Sequence, residues 1–157
     1  MKEFLSTNDI ILRDAPDVSA PMVFTTAGNS INLKFYRKVV AVLFITDAAT
    51  GAVITMKQGS AAAASTALSF TKFFDKRDIS ASNAWVERTA SSDTFTTETS
   101  SKTGIYAVEL DASQLTDGNS FVRLNAASTA DATGTLIYIV HRARFGAAPD
   151  DLRDASS

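Results

Sequence analysis

Val39-Val40-Ala41-Val42-Leu43-Phe44-Ile45 is the longest apolar stretch of the chain, and its reading decides the fold. It is apolar at both parities, rich in β-branched residues, and stops at Thr46-Asp47. A run of seven is short for a buried helix and suits a strand covered on both faces. Leu136-Ile137-Tyr138-Ile139-Val140 has the same character. The two are expected to be central strands of one core.

Outward from these runs, the pattern alternates more plainly. Leu68, Phe70 and Phe74 are expected on one face with Lys72 between them, and Ser69, Thr71 and Phe73 on the other. Tyr106, Val108 and Leu110 oppose Ile105, Ala107 and Glu109; Val122, Leu124 and Ala126 oppose Phe121, Arg123 and Asn125. This period of two describes strands with one packed and one wetter face. Weaker strands are expected at Val53 to Lys57, Trp85 to Thr89, Phe95 to Thr99, Ile10 to Leu12 and Met22 to Phe24. The separators carry glycine or small polar clusters, and Asp117-Gly118 suits a tight hairpin with positive φ. Asp111-Ala112-Ser113-Gln114-Leu115 reads as one capped helical turn that drops Leu115 onto the core.

About eight strands without a long amphipathic helix predict an all-β protein, an antiparallel β-sandwich or barrel. Residues 1–21 form an expected N-terminal arm, 22–145 the β-sandwich domain and 146–157 a small, acidic C-terminal tail. The Ser60 to Thr66 stretch, with its four alanines, reads as a flexible loop.

Composition removes whole classes of chemistry. The chain has 157 residues, no cysteine, one histidine and a net charge of −2, and 60 of its residues are alanine, serine or threonine. Disulfides, thiolate metal sites and multi-histidine metal sites are excluded. Near-neutral charge argues against nucleic acid as a partner. No apolar run reaches a membrane span, and the N-terminus lacks a signal-peptide layout. No cofactor is expected either, because the glycine patterns that cradle nucleotides are missing.

The remaining candidates are single residues. His141 follows an apolar strand between basic residues, with no serine in a recognisable nucleophile setting. Asp75 and Asp78 bracket Lys76-Arg77 and read as a solvated charged turn; Asp150, Asp151 and Asp154 share the tail with Arg153. Lys34, Arg37 and Lys38, with Arg142 and Arg144, read as charged strand ends. Trp85 is packing or, in the alternative reading, a glycan-stacking platform. None assembles an active site from sequence alone, and the chain is expected not to be an enzyme.

The run Phe35 to Phe44, the strand end Met56-Lys57-Gln58-Gly59-Ser60, the element Tyr106-Ala107-Val108-Glu109-Leu110-Asp111-Ala112-Ser113-Gln114-Leu115, and Phe121-Val122-Arg123-Leu124-Asn125 form an ordered set with Leu136 to Val140. Over residues 30–145 this set resembles the small structural proteins of tailed bacteriophages. The resemblance implies a jelly-roll-like capsid decoration (cement) protein, bound to the major capsid protein on the outside of the virion head as a homo-oligomer, most naturally a trimer. It carries over no functional residues, since the shared positions are packing positions. Phe4, Leu5, Ile10, Ile11 and Leu12 are the apolar anchors expected for a partner-contact arm if they are unburied in the free chain. If instead they pair as an edge strand, that arm shrinks to Met1 to Asn8. A head–tail, tail or fibre component, or a carbohydrate-binding sandwich using Trp85, are the alternatives.

Overall fold

Strand formation is strongest where every second side chain is apolar, and those segments are the longest ladders of the fold. The computed structural model describes residues 8–12, 30–48, 51–81, 84–98, 102–126 and 133–143. Its strands are β1 (Asn8–Leu12), β2 (Ser30–Asn32), β3 (Tyr36–Ala48), β4 (Val53–Gly59), β5 (Thr66–Ala67), β6 (Lys72–Lys76), β7 (Val86–Thr89), β8 (Thr94–Thr96), β9 (Lys102–Asp111), β10 (Phe121–Ala126) and β11 (Thr133–Ala143). One sheet runs β1-β11-β3-β9-β6-β7 and the other β2-β10-β4-β5, with β8 also on β4. Every pairing is antiparallel.

The order in the two sheets is that of a jelly roll. With β6, β7 and β8 set aside, eight strands remain, ranked 1-8-3-6 in one sheet and 2-7-4-5 in the other. The chain crosses between sheets at most connections, which wraps both around a single core. That core is built from the alternating faces read in the sequence. Val39, Ala41, Leu43 and Ile45 of β3 are buried with Tyr106, Val108 and Leu110 of β9 and Leu136, Tyr138 and Val140 of β11. Ile54 and Met56 of β4 and Val122, Leu124 and Ala126 of β10 face them from the second sheet.

Polar groups stitch the layers where a ladder stops. Strand β10 pairs with β2 only through Phe121 to Arg123. The Leu124 N–H instead donates to the Tyr138 hydroxyl across the core at 2.8 Å. Gln58 is 4 % exposed; its Nε2 donates to the Ala67 carbonyl (3.1 Å) and Thr116 Oγ1 (3.0 Å), and its Oε1 accepts from the Thr116 N–H (2.8 Å). A buried amide with these partners satisfied fixes β4, β5 and the turn before β10 relative to one another.

Several sequence expectations need correction. The period-two reading from Leu68 to Phe74 slips: Leu68 and Phe70 are buried, but so is Phe73, while Phe74 turns outward. A bend at Thr71 separates the segment before it from β6 and shifts the parity. The Ser60 to Thr66 loop is fastened rather than loose. Ala64 is buried, Ser30 Oγ donates to the Ala62 carbonyl, and a Cβ on Gly59 would come 2.8 Å from the Ala64 Cα. Asp117-Gly118 does form a tight turn, with Gly118 at φ 85° and Asn119 N–H on the Thr116 carbonyl. It joins β9 to β10 in different sheets, however, so it is a crossover and not a hairpin. The Asp111 turn is as expected: a 3-10 turn over Ala112–Gln114 with a complete capping box, and Leu115 packed on the core.

Strand β1 takes the edge-strand alternative. Asn8, Asp9, Ile10, Ile11 and Leu12 pair with His141, Val140, Ile139, Tyr138 and Ile137, so the sandwich takes in residues 8–12 and not only those from 22 onward. Phe4 and Leu5 lie outside the described residues, as do Met22 to Phe24, the C-terminal tail and Arg144.

Candidate functional site

The expectation that β3 and β11 are covered on both faces is overturned. Their second face carries Val40, Val42, Phe44, Ile137 and Ile139, all partly or fully exposed, with Phe44 at 37 %. Every described strand belongs to one of the two sheets, so among the described residues no third layer lies over this face. A two-layer sandwich gives each sheet one core face only, and an apolar run in a central strand therefore leaves half its side chains on the outside.

The register brings these residues into cross-strand rows. Ile10, Ile139, Val40 and Glu109 share one row; Ile137, Val42, Ala107 and Phe74 share the next, ending on Glu87. Thr135, Phe44, Ile105 and Lys76 make a third. At one corner Trp85 is 50 % exposed, with the Lys76 ammonium 4.9 Å from the centre of its ring. The indole thus lies outside the core. Phe74, Trp85 and Ala107 line an open apolar notch of about 330 Å³. On the other side of Phe74, Lys38, Lys72, Glu109, Asp111 and Gln114 line a charged groove of about 310 Å³.

The charges around this face are paired within the chain. Lys38 Nζ lies 2.6 Å from Glu109 Oε1, Lys72 Nζ 2.6 Å from Glu87 Oε1, and Arg37 Nε 3.8 Å from Asp111 Oδ2. Hydrogen bonds from the Ser113 N–H and hydroxyl hold the Asp111 carboxyl below the usual range. Exposed pairs of this kind contribute little stability, and their effect is to leave the face nearly neutral.

The far end of β6 is where sequence reading missed most. Asp75 is no part of a solvated turn: it is 1 % exposed and held by Arg77 Nε at 2.7 Å and Arg88 Nε at 3.2 Å. Arg77 also reaches Glu98 at 3.5 Å, and the Glu98 N–H donates to the Tyr106 hydroxyl at 2.8 Å. Burial pushes the Tyr106 hydroxyl pKa up, and the hydrogen bond to Asp75 raises that of Arg77. The sequence signal was present only as basic residues near Asp75, without a hint of burial.

Asp78 does sit at the surface. Lys102 Nζ at 2.8 Å, aided by the Ser80 hydroxyl and the Ala81 N–H, holds its carboxyl down at about 2. A depressed carboxylate stabilises the fold above its unfolded pKa, near ~3.9, and that contribution is lost as pH falls toward the folded value. Asp78→Asn is expected to show a shallower loss of stability than the parent between pH ~4 and ~2, followed by thermal melts across that range. Identical acid profiles would show that the Lys102 pairing has no such effect.

His141 lies in β11 opposite Lys38 on one side and Asn8 on the other. Among the described residues, no group of three or more histidine, aspartate or glutamate side chains is placed to hold a metal ion. The arrangement offers contact: an apolar, nearly neutral sheet face bordered by a tryptophan notch and a charged groove.

No family model matches the chain. No curated protein matches it either. Among solved structures, the SPBc2 prophage-derived protein YomS superposes with a TM-score of 0.44 at 11 % identity, over 85 % of this chain and 91 % of that one. The Eiger TNF of S. frugiperda gives a TM-score of 0.28 at 15 % identity, over 91 % of each chain.

Proposed function

We propose that this chain is a virion structural protein that binds the outside of a bacteriophage capsid as a homo-oligomer and stabilises it, without catalysis. The observation that carries the reading is the apolar outer face of the six-stranded sheet, a surface suited to contact. The sequence resemblance over residues 30–145 and the jelly-roll strand order support it. A decoration protein acts by shape: it links capsid subunits already in place, and its binding energy resists their separation.

The test is its location. Mass spectrometry of purified particles is expected to find the chain in a fixed ratio to the major capsid protein, and heads lacking it should recapture the purified chain on sedimentation. Accumulation in cells with complete absence from particles sinks the proposal. Labelled density confined to the neck, tail or fibre would move the chain to that component of the same particle.

Trp85 favours a second reading, a carbohydrate-binding sandwich, because its indole is half exposed beside an apolar notch. Trp85→Ala then abolishes retention on a glycan array without lowering the melting temperature. An array with no hit for the parent chain ends that reading.

A further inference from the structure

We infer that copies of this chain meet through the outer face of the six-stranded sheet, around Val40, Val42, Phe44, Ile105 and Ile137. The inference deepens the homo-oligomeric part of the proposed function and rests on that reading. The other sheet supplies an internal comparison. Its outward positions are mostly polar, with Thr55 and Lys57 on β4 and Arg123 and Asn125 on β10, and its apolar ones, Val53 and Phe121, stand at opposite ends of the β4–β10 ladder and form no continuous apolar row. The same chain thus solvates one outer face and leaves the other apolar, which marks the second as a contact surface.

Charge and size point to a second copy as the occupant. The border of the face holds Arg37, Lys38, Lys72 and Lys76 against Glu87, Glu109 and Asp111, four cations and three carboxylates. A strongly charged face would repel its own copy and call for a partner of opposite sign; a balanced one meets itself without that penalty. The six strands hold 48 residues in all, which at ~4.8 Å between strands and ~3.3 Å per residue give a face of roughly 760 Å². A stable interface takes ~600–1,000 Å² from each partner. Two such sheets stack ~10 Å apart with their side chains interdigitated, as the sheets inside one sandwich do.

The test measures mass in solution by sedimentation equilibrium for the parent, Val42→Lys, Phe44→Glu and, on the opposite sheet, Asn125→Lys. Far-ultraviolet spectra and melting curves establish which variants are folded. The parent and Asn125→Lys are expected to be oligomeric, and Val42→Lys and Phe44→Glu to sediment as folded monomers of 16.7 kDa. A monomeric parent overturns the inference, as does an oligomer that survives in folded Val42→Lys and Phe44→Glu. Loss of head binding in these two variants with a monomeric parent assigns the face to the capsid protein instead, and also overturns it. An oligomer dispersed as expected, but never retained on heads, upholds the inference and fails only the decoration reading.

Discussion

Phe95→Ala is expected to lower the melting temperature by roughly 6–20 °C, the shift that a loss of about 3–5 kcal/mol produces in a domain of this size. Phe95 is buried, on the short strand β8 that pairs with β4 in the second sheet. Its ring stacks on Phe73 of the first sheet with centroids 4.3 Å apart, lies 5.7 Å from Tyr106, and meets Phe70 edge-on at 6.2 Å. Truncation removes the piece that closes this end of the sandwich and opens a cavity between sheets that cannot collapse, because both ladders are rigid. Phe95→Leu keeps most of the volume and should cost far less. A calorimetric shift of only a degree or two for Phe95→Ala would mean that the aromatic cluster does not hold the sheets together.

The second large effect is expected from Arg77→Gln combined with Arg88→Gln. Together these leave the Asp75 carboxylate in a site that is 1 % exposed without either of its cationic partners. Stranding a buried charge costs about 3–5 kcal/mol, whereas removing the whole group can be nearly neutral. Adding Asp75→Leu to the double variant is therefore expected to recover much of the loss, although the sequence becomes more different from the parent. Urea unfolding of the three proteins checks the order. If the triple variant is the least stable, the arginines act through packing of their stems and not through the carboxylate.

How far the fold was legible depended on the length of each alternating run. Val39 to Ile45, Tyr106 to Leu110, Val122 to Ala126 and Leu136 to Val140 each commit several side chains to one core, and the structure uses those same residues. Ser30–Asn32 and Thr66–Ala67 are too short to show a period, and they exist because β10 and β4 offer them a partner. Strict alternation puts Phe73 on the wrong face because a bend at Thr71 resets the parity, and no side-chain pattern announces a bend.

The contact surface was half legible. That β3 and β11 are apolar on both faces is plain in the sequence; that nothing among the described residues covers the second face is a property of layer number, which depends on every other segment. Trp85 stands out in the sequence as the one tryptophan, but its neighbours in the notch do not. Phe74 and Ala107 come from β6 and β9, whose adjacency depends on long-range pairing. Asp75 looked like a surface acid because its burial depends on Arg88 arriving from the neighbouring strand.

The strand order also sets a timetable for the growing chain. Strand β3 is the most apolar of the eleven, yet its two neighbours are β9 and β11, both encoded far downstream of it. Emerging from the ribosome in order, β3 has neither ladder partner until β9 has followed, and β1 waits until β11. Folding dominated by such distant pairings is slow, and an unpaired apolar strand is adhesive while it waits. The interval between making its central strand and making the strands that flank it is thus when the growing chain is most open to aggregation.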